Sequence, residues 1–242
     1  MRKAILIAVA FTTVIVAATL VWFFNTPTTF QLIGEVVSRV ETTDSVVALT
    51  FDDGPTRGFT EAIVEILEAK GIVATFFLVG SAIDRAPEQA RWLVGTGHEI
   101  GNHSYSHDRM VLRTLPFVRA EIERTDALIR GTGYRGPIHF RAPYGKHLLV
   151  LPWYLDRTDR THVLWDVAPE SFRGVARDSA AIVQHALERV RPGSIILLHV
   201  FYESQRESLK AVPGLIDSLR ARGYRFVTVS DLMSQAAAGV GS

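Results

Sequence analysis

The chain has 242 residues, no cysteine, and 26 basic against 25 acidic side chains, which gives a formal net charge of +1. This near balance excludes the strongly basic surface with which proteins hold nucleic acid, so we expect no nucleic-acid partner. The absence of cysteine excludes thiolate metal ligands, a thiol nucleophile and disulfide bonds. The length is sufficient for one domain with a sizeable core.

The first 25 residues predict a membrane segment. Arg2 and Lys3 precede an apolar run over residues 4–24 whose only polar side chains are threonines. A bilayer-spanning helix needs about 20 such residues, whereas the apolar part of a cleavable signal peptide has about 7 to 15. We therefore expect an uncleaved transmembrane helix that leaves the rest of the chain outside the cytoplasm, on the periplasmic or extracellular face. The alternative is a signal peptide cut near residues 17–18 or after Asn25, which would give a secreted protein.

Residues 26–44 are polar and rich in threonine, and we expect a linker there. From Ser45 onward, apolar runs typical of strands alternate with stretches typical of helices. Apolar strands separated by helices indicate a parallel sheet covered on its outside, and six or seven such units can close into a barrel. We therefore predict an α/β domain over 45–235 and a tail over 236–242. The predicted strands are 46–50, 73–79, 98–102, 138–140, 163–165, 194–198 and 224–229, and the predicted helices are 60–70, 88–94, 117–130, 179–190 and 207–222.

Polar side chains follow five of the predicted strands at their carboxyl ends, which is where parallel barrels build active sites. Five segments that end in reactive groups on one rim predict a catalytic site. The residues are Asp52 and Asp53 after the first strand, His103 and His107 after the third, and then Arg141, Asp166 and His199.

His103 and His107 are four residues apart, which sets a condition on any metal ion that they share. On a straight strand the two side chains would lie about 13 Å apart. The segment must therefore turn, and a helical turn would bring them within about 6 Å. Asp53 is the natural third ligand, and this set suits Zn²⁺ with a position left for water. Co²⁺, Ni²⁺ or Mn²⁺ suit the same ligands, and two histidines without a metal are the simpler alternative.

The remaining rim residues supply acid and base chemistry. Asp52 points away from Asp53 at the strand end, so it can act as general base on a water bound to the metal, or else cap the turn at Gly54. Arg141 can hold Asp52 in place and keep it ionised, or form an ordinary buried ion pair. His199 titrates in the range that a proton donor needs.

These residues lie in motifs through which the chain resembles the polysaccharide deacetylases of the NodB-homology domain, also called carbohydrate esterase family four. The resemblance runs from about Ser45 to Leu232 and implies a distorted (β/α) barrel of about seven parallel strands. The motifs in chain order are TFDDGP at 50–55, HSYSH at 103–107, RAPYG at 141–145, the region 164–172 and LLH at 197–199.

The resemblance implies the same division of roles as the residue chemistry and adds a substrate-binding set. In that set, Pro143 and Tyr144 line the site, and the Tyr144 backbone N–H stabilises an oxyanion. Leu197 walls the pocket for the acetyl methyl group. The implied catalytic residues are Asp52 as base, Arg141 as its orienting partner and His199 as acid, and the implied metal ligands are Asp53, His103 and His107.

The fourth motif departs from the family pattern Asp-x-x-Asp-Trp. Ala168, Ser171 and Phe172 stand at its two aspartate positions and its tryptophan position. In the family the first of these aspartates tethers the catalytic histidine. Asp166 and Glu170 are the nearby carboxylates that remain for that task in this chain.

The resemblance implies a metal-dependent hydrolase that removes acetyl groups, most simply N-acetyl groups, from a cell-envelope or exported polysaccharide such as peptidoglycan or a chitin-like polymer. A water bound to the metal would attack the acetyl carbonyl. One alternative is a catalytically impaired, glycan-binding envelope protein of the same fold, for which the altered fourth motif argues. Another is a hydrolase of O-acetyl esters or cyclic amides.

Overall fold

The computed structural model describes residues 2–3, 9, 11–16, 19, 31 and 33–239. Most of the membrane segment expected over residues 1–25 therefore lies outside the described residues, and those described within it are helical. Within the described part of the chain, no helix is both long enough and apolar enough to cross a bilayer.

Strands and helices alternate along the described chain from Val36 onward, and short 3₁₀ turns occur at Pro143–Gly145, Pro169–Ser171 and Glu203–Gln205. The strands are β1 (Val36–Val37), β2 (Val46–Asp52), β3 (Thr75–Leu78), β4 (Glu99–Asn102), β5 (His162–Val163), β6 (Ile195–His199) and β7 (Arg225–Val227). The helices are α1 (Phe59–Lys70), α2 (Gly80–Arg85), α3 (Pro87–Gly95), α4 (Leu115–Gly131), α5 (Val150–Arg157), α6 (Ser179–Leu187), α7 (Arg206–Ala221) and α8 (Val229–Gly239).

The strands form a parallel sheet centred on β2. β2 pairs with β3, β6 and β7, β3 pairs with β4, and β1 pairs with β5, all in parallel register. Single bridges complete the circuit: Phe140 joins Asn102 to His162 in parallel, and Arg39, two residues after β1, forms an antiparallel bridge with Ser194 beside β6. The sheet is thus a distorted closed barrel of parallel strands, and the predicted α/β class is confirmed.

β2 is buried at all seven positions because both of its faces are covered. Its outward residues, Leu49 and Phe51 among them, pack in a core with Ile63 of α1 and Leu215 of α7. Burial of each such side chain contributes about 1.5–3 kcal/mol to folding. Its inward residues change along the strand from Ala48 in an apolar inner core to polar groups at the carboxyl end. The barrel interior is therefore apolar at the bottom and polar at the rim.

The structure differs from the predicted elements in both strands and helices. Part of the expected linker joins the sheet, since Val36–Val37 pairs with β5. The predicted strand 138–140 is reduced to the bridging residue Phe140. Helices α2 and α5 were not predicted, because their six and eight residues are too few to show a clear period. Helix α8 was not predicted either, and its first residue, Val229, is the last residue of the predicted strand 224–229.

Candidate active site

The side chains of Asp52 and Asp53 point in different directions because the backbone conformation changes between them. Asp52 is the last residue of β2, and Asp53 takes a left-handed conformation with φ 84°. Gly54 follows against the ring of Phe201, where the Cβ of any other residue would lie 2.4 Å from the ring carbon Cζ. Only glycine fits there, so the chain turns sharply behind the two carboxylates. This turn sends the adjacent carboxylates toward different partners.

His103 and His107 lie together because the segment after β4 turns, as a shared site requires. Their ring centroids are 5.0 Å apart. The predicted helical turn was wrong, however: Ser104 and His107 have left-handed φ values of 64° and 63°. The Ser104 hydroxyl accepts a hydrogen bond from the His107 backbone N–H at 3.1 Å. The loop is therefore a compact, internally bonded turn.

Two residues that the sequence reasoning missed hold this loop. The Asn102 side-chain carbonyl accepts from the Ser104 N–H at 2.8 Å. Glu121, on α4, accepts from the backbone N–H groups of Tyr105 and Ser106 at 3.0 and 2.8 Å. Their signals in the sequence are weak, because Glu121 resembles one more acidic residue of an amphipathic helix.

The side chains of Asp53, His103 and His107 converge on one point, with one ligand atom from each within 4.8 Å of the others. Asp53 Oδ1 lies 3.1 Å from His107 Nε2 and 3.7 Å from His103 Nε2. That carboxylate oxygen is buried and has no hydrogen bond of acceptable geometry. A buried acceptor facing two imidazole nitrogens is the arrangement that a cation resolves. The residues therefore fit a divalent metal ion.

The protonation states of these side chains also suit a metal. His103 Nδ1 lies 2.8 Å from the Arg141 carbonyl oxygen, so it carries the proton and leaves the Nε2 lone pair toward Asp53. Burial lowers the pKa of His103, which favours the neutral ring. Burial opposes ionisation of Asp53, but the adjacent His107 imidazole and the charges of the other nearby histidines prevail and lower its pKa to about 2. A neutral imidazole and an ionised carboxylate are the ligating forms.

Asp52 is held by a completely buried arginine. Arg141 Nη1 donates to Asp52 Oδ1 at 2.7 Å and to the Thr50 hydroxyl at 2.8 Å. The rest of the guanidinium donates to the carbonyls of Val163 and Leu164. The other Asp52 oxygen lies 3.7 Å from His103 Nε2, at the edge of the metal-binding set. Asp52 is thus fixed beside that set by one oxygen, and its second oxygen faces the site.

His199 ends β6 opposite Asp52 in the parallel register. Its Nδ1 is hydrogen-bonded to the Glu170 carboxylate, which also accepts from the His199 backbone N–H at 2.7 Å. Burial alone would lower the pKa of His199, but Glu170, Asp52 and Asp53 outweigh it and raise that pKa to about 9. Asp166, the other expected tether, does not fill that role, because its carboxylate accepts from the Ser194 hydroxyl and the Ile195 N–H, both at 2.9 Å.

The three expected substrate-binding residues border the same rim. Tyr144 has a left-handed φ of 60°, and its side chain is 55% exposed with the ring centroid 4.8 Å from that of His107. Pro143 is buried directly before it. Leu197 is 3% exposed and lies two residues before His199, so both point to the same side of β6. The exposed Tyr144 ring thus contacts a residue of the metal-binding set, and Leu197 shares one side of β6 with His199.

Known proteins resemble this chain in sequence. The family model for polysaccharide deacetylases matches residues 39–160. A peptidoglycan-N-acetylglucosamine deacetylase of Bacillus cereus is 34% identical over 188 residues, which cover 77% of this chain and 67% of the relative. The peptidoglycan-N-acetylmuramic acid deacetylase PdaC of Bacillus subtilis is 35% identical over 204 residues, 82% of this chain and 42% of that protein.

Solved structures share the fold. The crystal structure of the peptidoglycan N-acetylglucosamine deacetylase Bc1960 aligns with a TM-score of 0.78 and 30% identity over 82% of this chain and 92% of its own. A mutant of BA3943, described as a carbohydrate esterase family four pseudoenzyme with restored enzymatic activity, aligns with a TM-score of 0.75 and 25% identity over 84% of this chain and 72% of its own.

A closed parallel barrel with a histidine–carboxylate rim defines the class, and the chain belongs to the polysaccharide deacetylase family, with a NodB-homology domain of carbohydrate esterase family four. The chain spans about two thirds of the Bacillus cereus relative and about two fifths of PdaC.

Proposed function

We propose that this protein is a metal-dependent hydrolase that removes N-acetyl groups from a cell-envelope polysaccharide. The observation that carries the proposal is the convergence of Asp53, His103 and His107 beside the Asp52–Arg141 pair, with His199 in register with Asp52 on the neighbouring strand β6. A base, an acid and a metal-binding set on one rim are what amide hydrolysis requires.

The metal ligands of the proposal are Asp53, His103 and His107, and Zn²⁺ is the ion that best suits one carboxylate and two imidazoles. Such an ion, when bound, lowers the pKa of a coordinated water toward about 7 and polarises the acetyl carbonyl. Among the residues of the chain, Asp52 takes a proton through the oxygen that Arg141 leaves free. His199 gives a proton to the departing amine, which its raised pKa allows at neutral pH.

The substrate side of the proposal rests on the rim residues and on the relatives. Leu197 offers an apolar wall for the acetyl methyl group, and the Tyr144 ring offers a face on which a sugar can stack. The backbone N–H of Tyr144 stabilises the oxyanion that forms at the carbonyl. Both named relatives act on acetylated sugars of peptidoglycan, so we propose peptidoglycan as the polymer.

The location follows from the proposed substrate. Peptidoglycan lies outside the cytoplasmic membrane, and the apolar run over residues 4–24 is long enough for a membrane anchor. We propose that the domain works on the outer side of that membrane, tethered by this run. Cleavage of the run as a signal peptide is the alternative.

A second candidate is a glycan-binding protein without turnover. Ala168 stands where the family pattern has an aspartate, and a relative of the fold is described as a pseudoenzyme. The hydrogen bonds between Glu170 and His199 favour the enzyme instead, because they give His199 a carboxylate partner.

The test is acetate release by the full zinc-loaded chain in detergent. The substrates are peptidoglycan fragments, N-acetylated chito-oligosaccharides and O-acetylated xylan, and the controls are Asp53→Asn and the exposed Asp44→Asn. We expect release from N-acetylated substrates by the parent and Asp44→Asn, and none by Asp53→Asn. Release from xylan alone would establish an esterase, and tight glycan binding without any release would favour the second candidate.

A further inference from the structure

We propose that Glu170 and Ser208 together form a bracket that positions His199, and that this bracket is what keeps the altered fourth motif competent. The proposal rests on the proposed function, because positioning matters only if His199 transfers a proton. Neither residue touches the expected reacting atoms, so both would act through His199. Ser208 lies on α7, outside the five motifs that signal the family and nine residues after the last of them.

Glu170 contacts His199 twice. One carboxylate oxygen of Glu170 accepts both from the His199 backbone N–H, at 2.7 Å, and from the ring at Nδ1. Binding both ends of the same residue fixes the end of β6 and the rotation of the imidazole at once. The Nδ1 proton is then committed to Glu170, which leaves Nε2 as the nitrogen that faces the site.

Glu170 is itself held in place by a hydrogen bond from α7. Its other carboxylate oxygen accepts a hydrogen bond from the Ser208 hydroxyl. The Glu170 side chain is 10% exposed, and Ser208 is 2% exposed. A buried carboxylate with both oxygens bonded cannot change rotamer without losing a partner, since each unpaired buried group costs about 1–3 kcal/mol. Ser208 thus links the first turn of α7 to the acid.

The pairing of the segment before residue 170 with β6 brings Glu170 to His199. Val167 forms a parallel bridge with Ile196 of β6, and the Leu197 N–H donates to the Val167 carbonyl at 2.8 Å. Residue 170 and His199 both lie three residues beyond that bridge, so the two segments arrive together at the rim. The buried Pro169 starts a 3₁₀ turn there, which directs Glu170 toward β6.

Asp166, the other nearby carboxylate, does not bond to His199. Asp166 lies one residue before the bridge, where its oxygens accept from the Ser194 hydroxyl and from the Ile195 N–H. Those partners are at the start of β6, and His199 is at its end. Among the described residues, Glu170 is therefore the carboxylate bonded to the His199 ring.

The experiment compares four variants of the full chain: Glu170→Gln, Glu170→Asp, Ser208→Ala and, as a matched control, the exposed Glu65→Gln. Bound zinc and the unfolding temperature are measured first for each. The kcat and KM for an N-acetylated oligosaccharide follow, together with the ¹⁵N resonances of the His199 imidazole, which are assigned by their loss in His199→Gln. The resonances report the ring's bonding whether or not the chain turns over.

We expect Glu170→Gln to lower kcat by about 10²-fold or more with KM within threefold, because the acid step is lost and binding is not. Glu170→Asp should recover part of kcat, and Ser208→Ala should lower kcat about tenfold, as expected for one hydrogen bond. The Nδ1 resonance should move in Glu170→Gln and stay in place in Glu65→Gln.

Either of two results would overturn the proposal: an unmoved Nδ1 resonance in Glu170→Gln, or a kcat in that variant within threefold of an active parent. A parent that releases no acetate would refute the proposed function, and the resonance comparison would still decide whether Glu170 positions the ring.

Discussion

Breaking the Arg141–Asp52 pair from one side should destabilise the whole domain. Arg141 is fully buried, and Arg141→Met removes the hydrogen bonds to Asp52 and Thr50 and leaves the Asp52 carboxylate charged in a site where its side chain is 2% exposed. Removal of one partner of a buried ion pair costs about 3–5 kcal/mol. For a domain of this size that corresponds to a fall in Tm of about 6–20 °C.

A double-mutant cycle separates the loss of charge compensation from the loss of packing in Arg141→Met. Asp52→Asn, Arg141→Met and the double variant are unfolded in urea at constant temperature. The double variant contains no uncompensated charge, so its loss of stability should be smaller than the sum of the single losses by about 1–3 kcal/mol. It should still release no acetate, because the base is gone. Additive losses, within about 0.5 kcal/mol, would refute the view that the two charges compensate each other.

Three further predictions concern the metal set, the acid and the turn. His107→Ala should lower zinc affinity at least tenfold in a calorimetric titration while the Tm of the metal-free protein changes little, since the His107 side chain is 26% exposed; unchanged affinity would remove it from the ligand set. The pKa of His199 is raised to about 9 from an ordinary value of 6.5, so its stabilising contribution is full below about pH 6.5 and is lost as the pH rises through about 9. The unfolding free energy of the metal-free protein should therefore fall between pH 6 and pH 10 by about 3 kcal/mol more than that of His199→Gln. Equal falls in the two proteins would contradict the raised pKa. Gly54→Ala should cost about 1–3 kcal/mol in chemical unfolding, because its methyl group would lie 2.4 Å from the Phe201 ring; Phe201→Leu in the same chain should recover part of the loss, and no recovery would place the strain elsewhere.

Much of the fold could be predicted from the sequence because strong hydrophobic runs carry it. β2 is apolar for most of its length and buried throughout. Apolar runs of this kind alternate with helical stretches along the chain, and that alternation identified a parallel sheet. The weak elements could not be predicted in the same way. β1 has two residues, and Phe140 bridges its neighbours as a single residue, so neither shows a period. Their positions are fixed by partners far along the chain, which no local pattern reveals.

In the candidate site too, residues in local motifs could be predicted and residues positioned by long-range pairing could not. Asp53, His103 and His107 stand in short motifs directly after strands, and the structure brings them together. Sequence left two carboxylates open as partners of His199, and only the register between Val167 and Ile196 separates them. Long-range supports such as Glu121 could not be identified, because α4 gives no sign of which loop it faces. Local motifs therefore name the reacting groups, and tertiary register names the residues that position them.

We propose that one metal ion held by Asp53, His103 and His107 makes this chain a deacetylase. The most direct measurement is acetate release from N-acetylated peptidoglycan fragments by the chelated full chain as Zn²⁺ is added in fractions of an equivalent. We expect no release before addition, a linear rise that ends at about one zinc per chain, and no rise in Asp53→Asn. Full release by the chelated chain, or equal reactivation of Asp53→Asn, would contradict the claim.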